Sequence, residues 1–396
     1  MPADSPRPRL TPARADIRRA VRAALADLAA ASALALPSAP LPPRVENAGD
    51  SGADARVHGG SAAAGGDFPA FSTRTDGAGA GAGADAAPAP AADAPPPLVL
   101  VALSGGADSL ALAAATAFEG PRLGIRAGAV IVDHALQEGS DAVAARAAAQ
   151  ARALGLDPVI VTRVEVGTAG GPEAAAREAR YAALDAAARE HAAAAVLLAH
   201  TLDDQAESVL LGLARGSGAA SLAGMAPASG RYRRPLLGIR RAGTRQACLD
   251  EGLEPWDDPH NSDPAYARVR VRDRVLPVLE AELGPGIAEA LARTAEQARE
   301  DADAFEAQIE EVVEDICEPA EAGIAVSAGA LAANPPALRQ RVIRYVVLAE
   351  FGVSLSRAHT LEVARLVTDW HGQGPIDLPG LTARREGGLL VFAAAE

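Results

Sequence analysis

The chain has no lysine: arginine alone supplies the 37 basic charges among 396 residues. That excludes a Gly-x-x-x-x-Gly-Lys phosphate loop, which needs a lysine to reach the outer phosphates of a nucleotide. Only two cysteines are present, Cys248 and Cys317. They lie far apart and form no Cys-x-x-Cys pair, which argues against a disulfide framework or a zinc site. No apolar run reaches the ~20 residues that a bilayer-spanning helix requires, and none resembles a secretory signal. The expectation is a soluble, cytoplasmic protein with no membrane partner.

What is present is an Ala-, Gly-, Pro- and Arg-rich chain, 49% hydrophobic, long enough for a sizeable core and two domains. An apolar segment, Leu98–Leu103, runs directly into Ser104-Gly105-Gly106-Ala107-Asp108-Ser109 and then into an apolar, Ala-rich stretch that reads as a helix. Two glycines allow a tight turn, so several N–H groups can face one oxyanion while the helix N-terminus adds positive potential. Ser104 and Ser109 can donate to phosphate oxygens, and Asp108 can hold a metal ion or an amine. A dinucleotide turn of the Gly-x-Gly-x-x-Gly kind does not fit. A plain Gly/Ser turn is the bland alternative, but six residues in order between a strand and a helix argue against it. The pattern resembles the PP-loop of the ATP pyrophosphatase superfamily, whose members split ATP into AMP and pyrophosphate.

Residues 11–36 read as an amphipathic helix with Ile17, Val21, Leu25 and Leu28 on one face. The stretch 37–97 holds almost no bulky apolar residue beyond Phe68 and Phe71, so it is expected to be a disordered, inert insertion. Strands are expected over Leu98–Leu103, Ile125–Val132, Pro158–Val164 and Ala195–Ala199. Helices should follow over Ser109–Phe118, Ser140–Leu154, Pro172–His191 and Asp203–Ala214. This alternation of continuous apolar strands with helices predicts an α/β fold with a doubly wound parallel sheet. Ligands of such sheets gather beyond the strands' carboxyl ends. Ser104, Asp133-His134 and His200 fall at such ends. After about Gly284 helices predominate, over Ile287–Cys317, Pro336–Phe351 and Ser356–Trp370, with a terminal hairpin from Pro375 to Phe392. The segments expected are an N-terminal helix (1–36), the insertion (37–97), an ATP-binding catalytic domain (98–283) and a smaller, mainly helical C-terminal domain (284–396).

A second constellation opens the helix after the fourth strand: His200-Thr-Leu-Asp203-Asp204-Gln-Ala-Glu207-Ser208. On a helix Asp203 and Glu207 are four apart and Asp204 and Glu207 three apart, so carboxylates share a face. Beside a phosphate cradle they suit Mg²⁺ or a cationic amine, although acids in a first turn also simply complement the helix dipole.

With these pieces the chain resembles the tRNA(Ile)-lysidine synthase family of PP-loop enzymes. The resemblance runs in order from Leu98 to about Glu280. It covers Ser104–Ser109, Val132-Asp-His134, the run from Glu173 through Arg177 and Arg180 to Tyr181, and Ala199–Glu207. It continues with Arg215–Gly218, Leu222-Ala-Gly-Met225, Arg234-Pro-Leu-Leu237, Asp258-Pro-His-Asn261 and Arg268–Glu280. Beyond residue 284 it rests mainly on Asp377-Leu-Pro-Gly380. Thr201, Ser208, Val269 and Asp273 depart from the family pattern, and Val269 removes a polar contact from the arginine segment.

The resemblance implies an adenine-nucleotide alpha-hydrolase-like fold and ligation of free L-lysine to the wobble cytidine of the CAU anticodon of tRNA(Ile), with ATP as substrate and Mg²⁺ as cofactor. It implies nucleotide binding by Ser104, Gly105, Gly106, Ala107, Asp108 and Ser109. Asp133 or His134, each following a strand, would line the same pocket. Asp108, Asp204 and Glu207 would be the acidic catalytic residues, with Asp108 and Asp204 on the metal. Whether the protein acts as a homodimer is left open.

The net charge of −14 runs against nucleic-acid binding, but local fields decide. Six arginines and no acid lie between Gly230 and Cys248, and Arg268, Arg270, Arg272 and Arg274 recur at alternate positions. Alternate positions place Arg268, Arg270 and Arg272 on one side of an extended segment, where they are expected to grip tRNA phosphates. Rival readings are a tRNA thiolase, for which two isolated cysteines supply no sulfur chemistry, an amide-forming synthetase, or a non-catalytic binder with a relict loop.

Overall fold

A computed structural model of the chain describes residues 10–34, 95–135, 137, 139–167, 171–216, 219–320 and 323–395. The expected insertion, 37–97, lies outside the described residues except for its last three positions. Helix α1 (Pro12–Leu34) buries Ile17, Val21, Leu25 and Leu28, the stripe that three- and four-residue spacing predicts. The alternation follows as β1 (Leu98–Ala102), α2 (Ala107–Glu119), β2 (Arg126–Asp133), α3 (Ser140–Ala153), β3 (Val159–Arg163), α4 (Pro172–Glu190), β4 (Ala195–Leu197) and α5 (Leu202–Ala214). A short α6 (Ala219–Leu222) precedes the two-residue strands β5 (Ala228–Ser229) and β6 (Tyr232–Arg233). Then come α7 (Arg241–Glu251), α8 (Ala267–Arg270) and α9 (Leu276–Leu283).

The first sheet has the order β3-β2-β1-β4-β6-β5 and is parallel apart from the antiparallel β5–β6 pair. Alternate residues of β1 serve two cores, as a sheet covered on both faces demands. Val99 and Val101 pack with residues of α1, α2, α3 and α7, whereas Leu98 and Leu100 pack with Leu184, Ala187 and Ala188 of α4. Gly128 is required where β2 meets the chain before β3: a Cβ there would lie 2.6 Å from the Pro158 carbonyl oxygen. Strand order reverses at β1, with β2 on one side and β4 on the other, and that switch point is where a cleft opens in such sheets.

The chain divides into two compact units. One comprises the described residues up to Leu211 with Ala226–Glu289, and the other Gly212–Met225 with the residues from Ala290 onward. In the second unit, Arg299 on α10 (Ile287–Ile316) donates to the carbonyls of Ala223 and Met225, tying the first stretch to the later one. The remaining elements are β7 (Cys317–Ala320), β8 (Gly323–Ser327), α11 (Ala328–Ala333), α12 (Pro336–Phe351), α13 (Arg357–Thr368), β9 (Ile376–Leu378), β10 (Leu381–Glu386) and β11 (Leu389–Ala394). The expected terminal hairpin is part of a five-stranded antiparallel sheet, β7-β8-β11-β10-β9. Strands β7 and β8 escaped the sequence reading because β7 continues from α10 without a break and carries Pro319. Leu381, Leu390 and Phe392 of this sheet pack against Val342 and Val346 of α12 and Val363 of α13. Among the described residues, no helix is long and apolar enough to cross a membrane.

Candidate active site

The turn after β1 forms the expected nest. Gly105 takes φ +85°, a left-handed conformation that side chains disfavour. Ser109 Oγ accepts from the Ser104 N–H at 3.2 Å and donates to the Gly106 carbonyl at 3.0 Å, closing the turn onto the first turn of α2. The opening N–H groups of α2 have no intrahelical acceptor, so the nest presents donors to an anion. The Trp256 N–H donates to the Gly105 carbonyl at 2.9 Å, which draws the 255–262 loop over the nest.

Asp108, in the first turn of α2, faces the acids of α5 within one cluster. Its carboxyl is pushed up, first by burial and then by the like charges of Asp204 and Asp203, against the pull of the Thr244 hydroxyl and Arg241. Asp204 would also be raised by burial, yet the Arg241 guanidinium and the hydrogen bonds from Thr201 hold it below the usual carboxylate range. Its Oδ2 accepts from the Thr201 N–H and hydroxyl, both at 2.7 Å, and its Oδ1 accepts from Arg241 Nη2 at 2.8 Å. Glu207 is fully buried and held by Arg272, Nε at 2.7 Å and Nη2 at 3.1 Å, with Arg241 Nη1 at 3.3 Å. Asp203 accepts from the backbone N–H of Arg241 at 2.7 Å and lies 3.4 Å from the Arg240 guanidinium.

The arginine segment departs from expectation. Residues 268–274 are not extended: α8 passes into a π-helical turn, Val271–Val275. Helical winding puts Arg268 and Arg272, four apart, on one side. Arg272 grips Glu207, and Arg268 donates to Ser208 Oγ at 3.0 Å with its Nε 3.8 Å from Glu207. Arg270 turns away to the carbonyls of Pro264 and Ala265, each at 2.7 Å. The arginines between Gly230 and Cys248 are likewise engaged within the chain. Arg231 meets Asp185, Arg245 meets Asp257, Arg240 meets Asp203 and Glu289, and Arg233 and Arg234 donate to backbone carbonyls. The fold thus places acids or carbonyls beside these six guanidinium groups.

A cleft of about 810 Å³ opens at the carboxyl ends of β1, β2 and β4. Ser104, Gly106, Ala107, Asp108 and Ser109 line it, with Asp133, His134, Asp204 and Arg272. Gly105, Glu207, Arg268 and Arg270 are not on its wall. Asp133 is buried, and its carboxyl, which burial alone would raise, is lowered by the Ala135 N–H, Ser140, Arg163 and His134. Among the other wall residues are Arg180, Arg241 and Trp256, which the sequence reading gave no site role, and His200, which it placed only at a strand end. His200 is pushed down to about 3 by burial and by the neighbouring arginines Arg180, Arg234 and Arg268, so its imidazole is neutral. The Nδ1 atoms of His134 and His200 and the Nε of Arg180 are buried without a hydrogen-bond partner. His200 and Arg180 stood inside quoted sequence blocks, but only the fold shows that α4 and the end of β4 turn them to one cleft.

The PP-loop domain family matches residues 87–279, and the TilS substrate binding domain family matches residues 327–391. The tRNA(Ile)-lysidine synthase of Leifsonia xyli subsp. xyli is 67% identical over 291 residues, covering 73% of this chain and 88% of the relative. Those of Streptomyces coelicolor and Thermobifida fusca are 57% and 56% identical, covering 73% and 74% of this chain and 83% and 90% of theirs.

Proposed function

The chain belongs to the tRNA(Ile)-lysidine synthase family, and from that premise we propose that it is an ATP-dependent ligase that forms lysidine. It joins free L-lysine to C2 of the wobble cytidine in the CAU anticodon of tRNA(Ile), with ATP yielding AMP and pyrophosphate. The observation that carries this reading is the meeting of the Ser104–Ser109 nest with Asp108 and Asp204 on one cleft wall.

In the first step the cytosine C2 oxygen attacks the α-phosphorus, a P–O bond forms, and pyrophosphate leaves. The nest's backbone N–H groups and the hydroxyls of Ser104 and Ser109 offset the charge that builds on phosphate oxygens. The AMP ester makes the C2 oxygen a good leaving group. In the second step the lysine ε-amine attacks C2, AMP departs with its oxygen, and the amine must shed a proton. A carboxylate can first bind the ammonium and then accept that proton. Asp108 suits the role: burial raises its carboxyl, so it binds a proton more readily than an exposed carboxylate.

Mg²⁺ is a hard cation that takes one or two carboxylates plus substrate phosphates. Asp108 fits, because its Oδ2 lies 3.6 Å from the nearest guanidinium nitrogen of Arg241 and accepts no hydrogen bond from it. Asp204 already accepts from Arg241 and Thr201 through both oxygens, so it would share only in part. Among the described residues no three His, Cys, Asp or Glu side chains form a cage, so phosphate oxygens would complete the shell. When bound, Mg²⁺ would neutralise phosphate charge. Glu207, sealed behind Arg272 and Arg241, acts here by positioning those arginines.

The test is pyrophosphate release from ATP in the presence of unmodified tRNA(Ile) and L-lysine. The expected result is tRNA-dependent release that Asp108→Asn reduces by at least about a hundredfold without altering the thermal midpoint by more than a few degrees. Full release by Asp108→Asn, or none by the parent protein, contradicts the reading; a mere binder would release none.

A further inference from the structure

Among the described residues Arg241 is the guanidinium that lies within 4.0 Å of all three acids that the family resemblance marks: Asp204 at 2.8 Å, Glu207 at 3.3 Å and Asp108 at 3.6 Å. Resting on the lysidine-forming reading above, we infer that Arg241 is a positioning residue that stands in for the substrate's ammonium, fixing Asp204 and Glu207 while leaving Asp108 to receive the incoming cation.

The pairing of charges leads there. Asp203 is matched by Arg240 and by a backbone N–H, Glu207 by Arg272 and Asp204 by Arg241. Asp108 is the acid left over. Its cation neighbour sits beyond hydrogen-bond reach, and its other oxygen faces the Thr244 hydroxyl. That hydroxyl has a single proton and a second acceptor, the Arg241 carbonyl, at 2.7 Å. Of Asp108, Asp204 and Glu207, Asp108 is therefore the one whose guanidinium neighbour makes no hydrogen bond to it.

Arg241 is also unable to leave. It opens α7, its backbone N–H is bound by Asp203, and its planar fork spans two carboxylates, a geometry that a compact ammonium does not reproduce. Its guanidinium stays protonated and therefore makes a poor nucleophile. It can steady the acids beside an activated base without competing for C2.

The experiment uses the full chain with Arg241→Gln and Arg241→Lys, measuring KM and kcat for L-lysine at saturating ATP and tRNA(Ile), with equilibrium binding of L-lysine by calorimetry. Arg241→Gln empties the space between Asp204 and Glu207. Free lysine then settles there, tightly but out of reach: KM and Kd for L-lysine should fall about tenfold while kcat falls at least about tenfold. Arg241→Lys keeps the charge, so KM should stay within about threefold of the parent while kcat drops. A merely structural arginine would instead raise KM, or leave it unchanged, as kcat falls in Arg241→Gln, and that result overturns the inference. Should Arg241→Gln fail to fold, a rise of KM in Arg241→Lys matching its fall in kcat overturns it equally. A parent protein that consumes no L-lysine defeats the lysidine reading and this inference together. A lysine-dependent parent with unchanged KM in Arg241→Gln defeats this inference alone.

Discussion

At the residue scale, Glu207 shows how far spacing carries an argument. Its place three and four positions from Asp204 and Asp203 predicts a shared helix face, and the fold keeps that relation. Sequence spacing could not show that Arg272 and Arg241 close over it and leave it with no exposed surface. Breaking a buried pair strands the partner's charge, although Arg241, at 20% exposure, and Arg272, at 24%, keep some hydration. Glu207→Gln should therefore cost about 1–3 kcal/mol of stability, and its effect should be non-additive with Arg272→Met in a denaturation double-mutant cycle. Strictly additive losses would mean that the pair is not coupled. His200 gives a second expectation. Its folded-state value, about 3, lies below the ordinary 6.5, so the unfolded chain binds a proton that the native state refuses. Stability is then fully present above about pH 6.5 and falls toward pH 3, with a slope of up to one proton. His200→Asn should flatten that part of the stability–pH curve; an unchanged curve would rule out His200 as its source.

At the element scale, the first strands and helices were legible because each apolar run or stripe has one period and clear punctuation. Leu98–Leu103 ends at two glycines, and α1 repeats its apolar residues every three or four positions. The arginine segment misled because alternation of Arg with Val, Val and Asp over 268–274 fits a strand by period while local winding favours a helix. Once helical, Arg268 and Arg272 turn inward together, and Arg270 is left outside on its own loop carbonyls. This changes an expectation about RNA. A phosphate contact contributes about 0.7–0.9 to the slope of log affinity against log salt. Arg272→Ala should leave the slope for tRNA unchanged while lowering turnover, since the lost partner is Glu207. A slope reduced by about one contact would return Arg272 to the phosphate backbone. Strands β7 and β8 were illegible for another reason: they are four and five residues long, β7 pairs with β8, and the other partner of β8, β11, lies more than sixty positions later.

At the scale of the whole molecule, an acidic protein of net charge −14 is assigned an RNA substrate. Most arginines of its two basic stretches are paired with its own acids and carbonyls, and the TilS substrate binding domain family matches residues 327–391. The lack of lysine gives this a chemical edge, because no side-chain amine of the chain can intercept an activated cytidine. The measurement that reaches the central claim most directly is nucleoside analysis of tRNA(Ile) incubated with the purified protein, ATP and isotopically labelled L-lysine. The account predicts labelled lysidine at the wobble position, formed one-for-one with AMP and pyrophosphate and absent with Asp108→Asn. Unlabelled cytidine recovered intact, or label in a base other than the wobble cytidine, would contradict it.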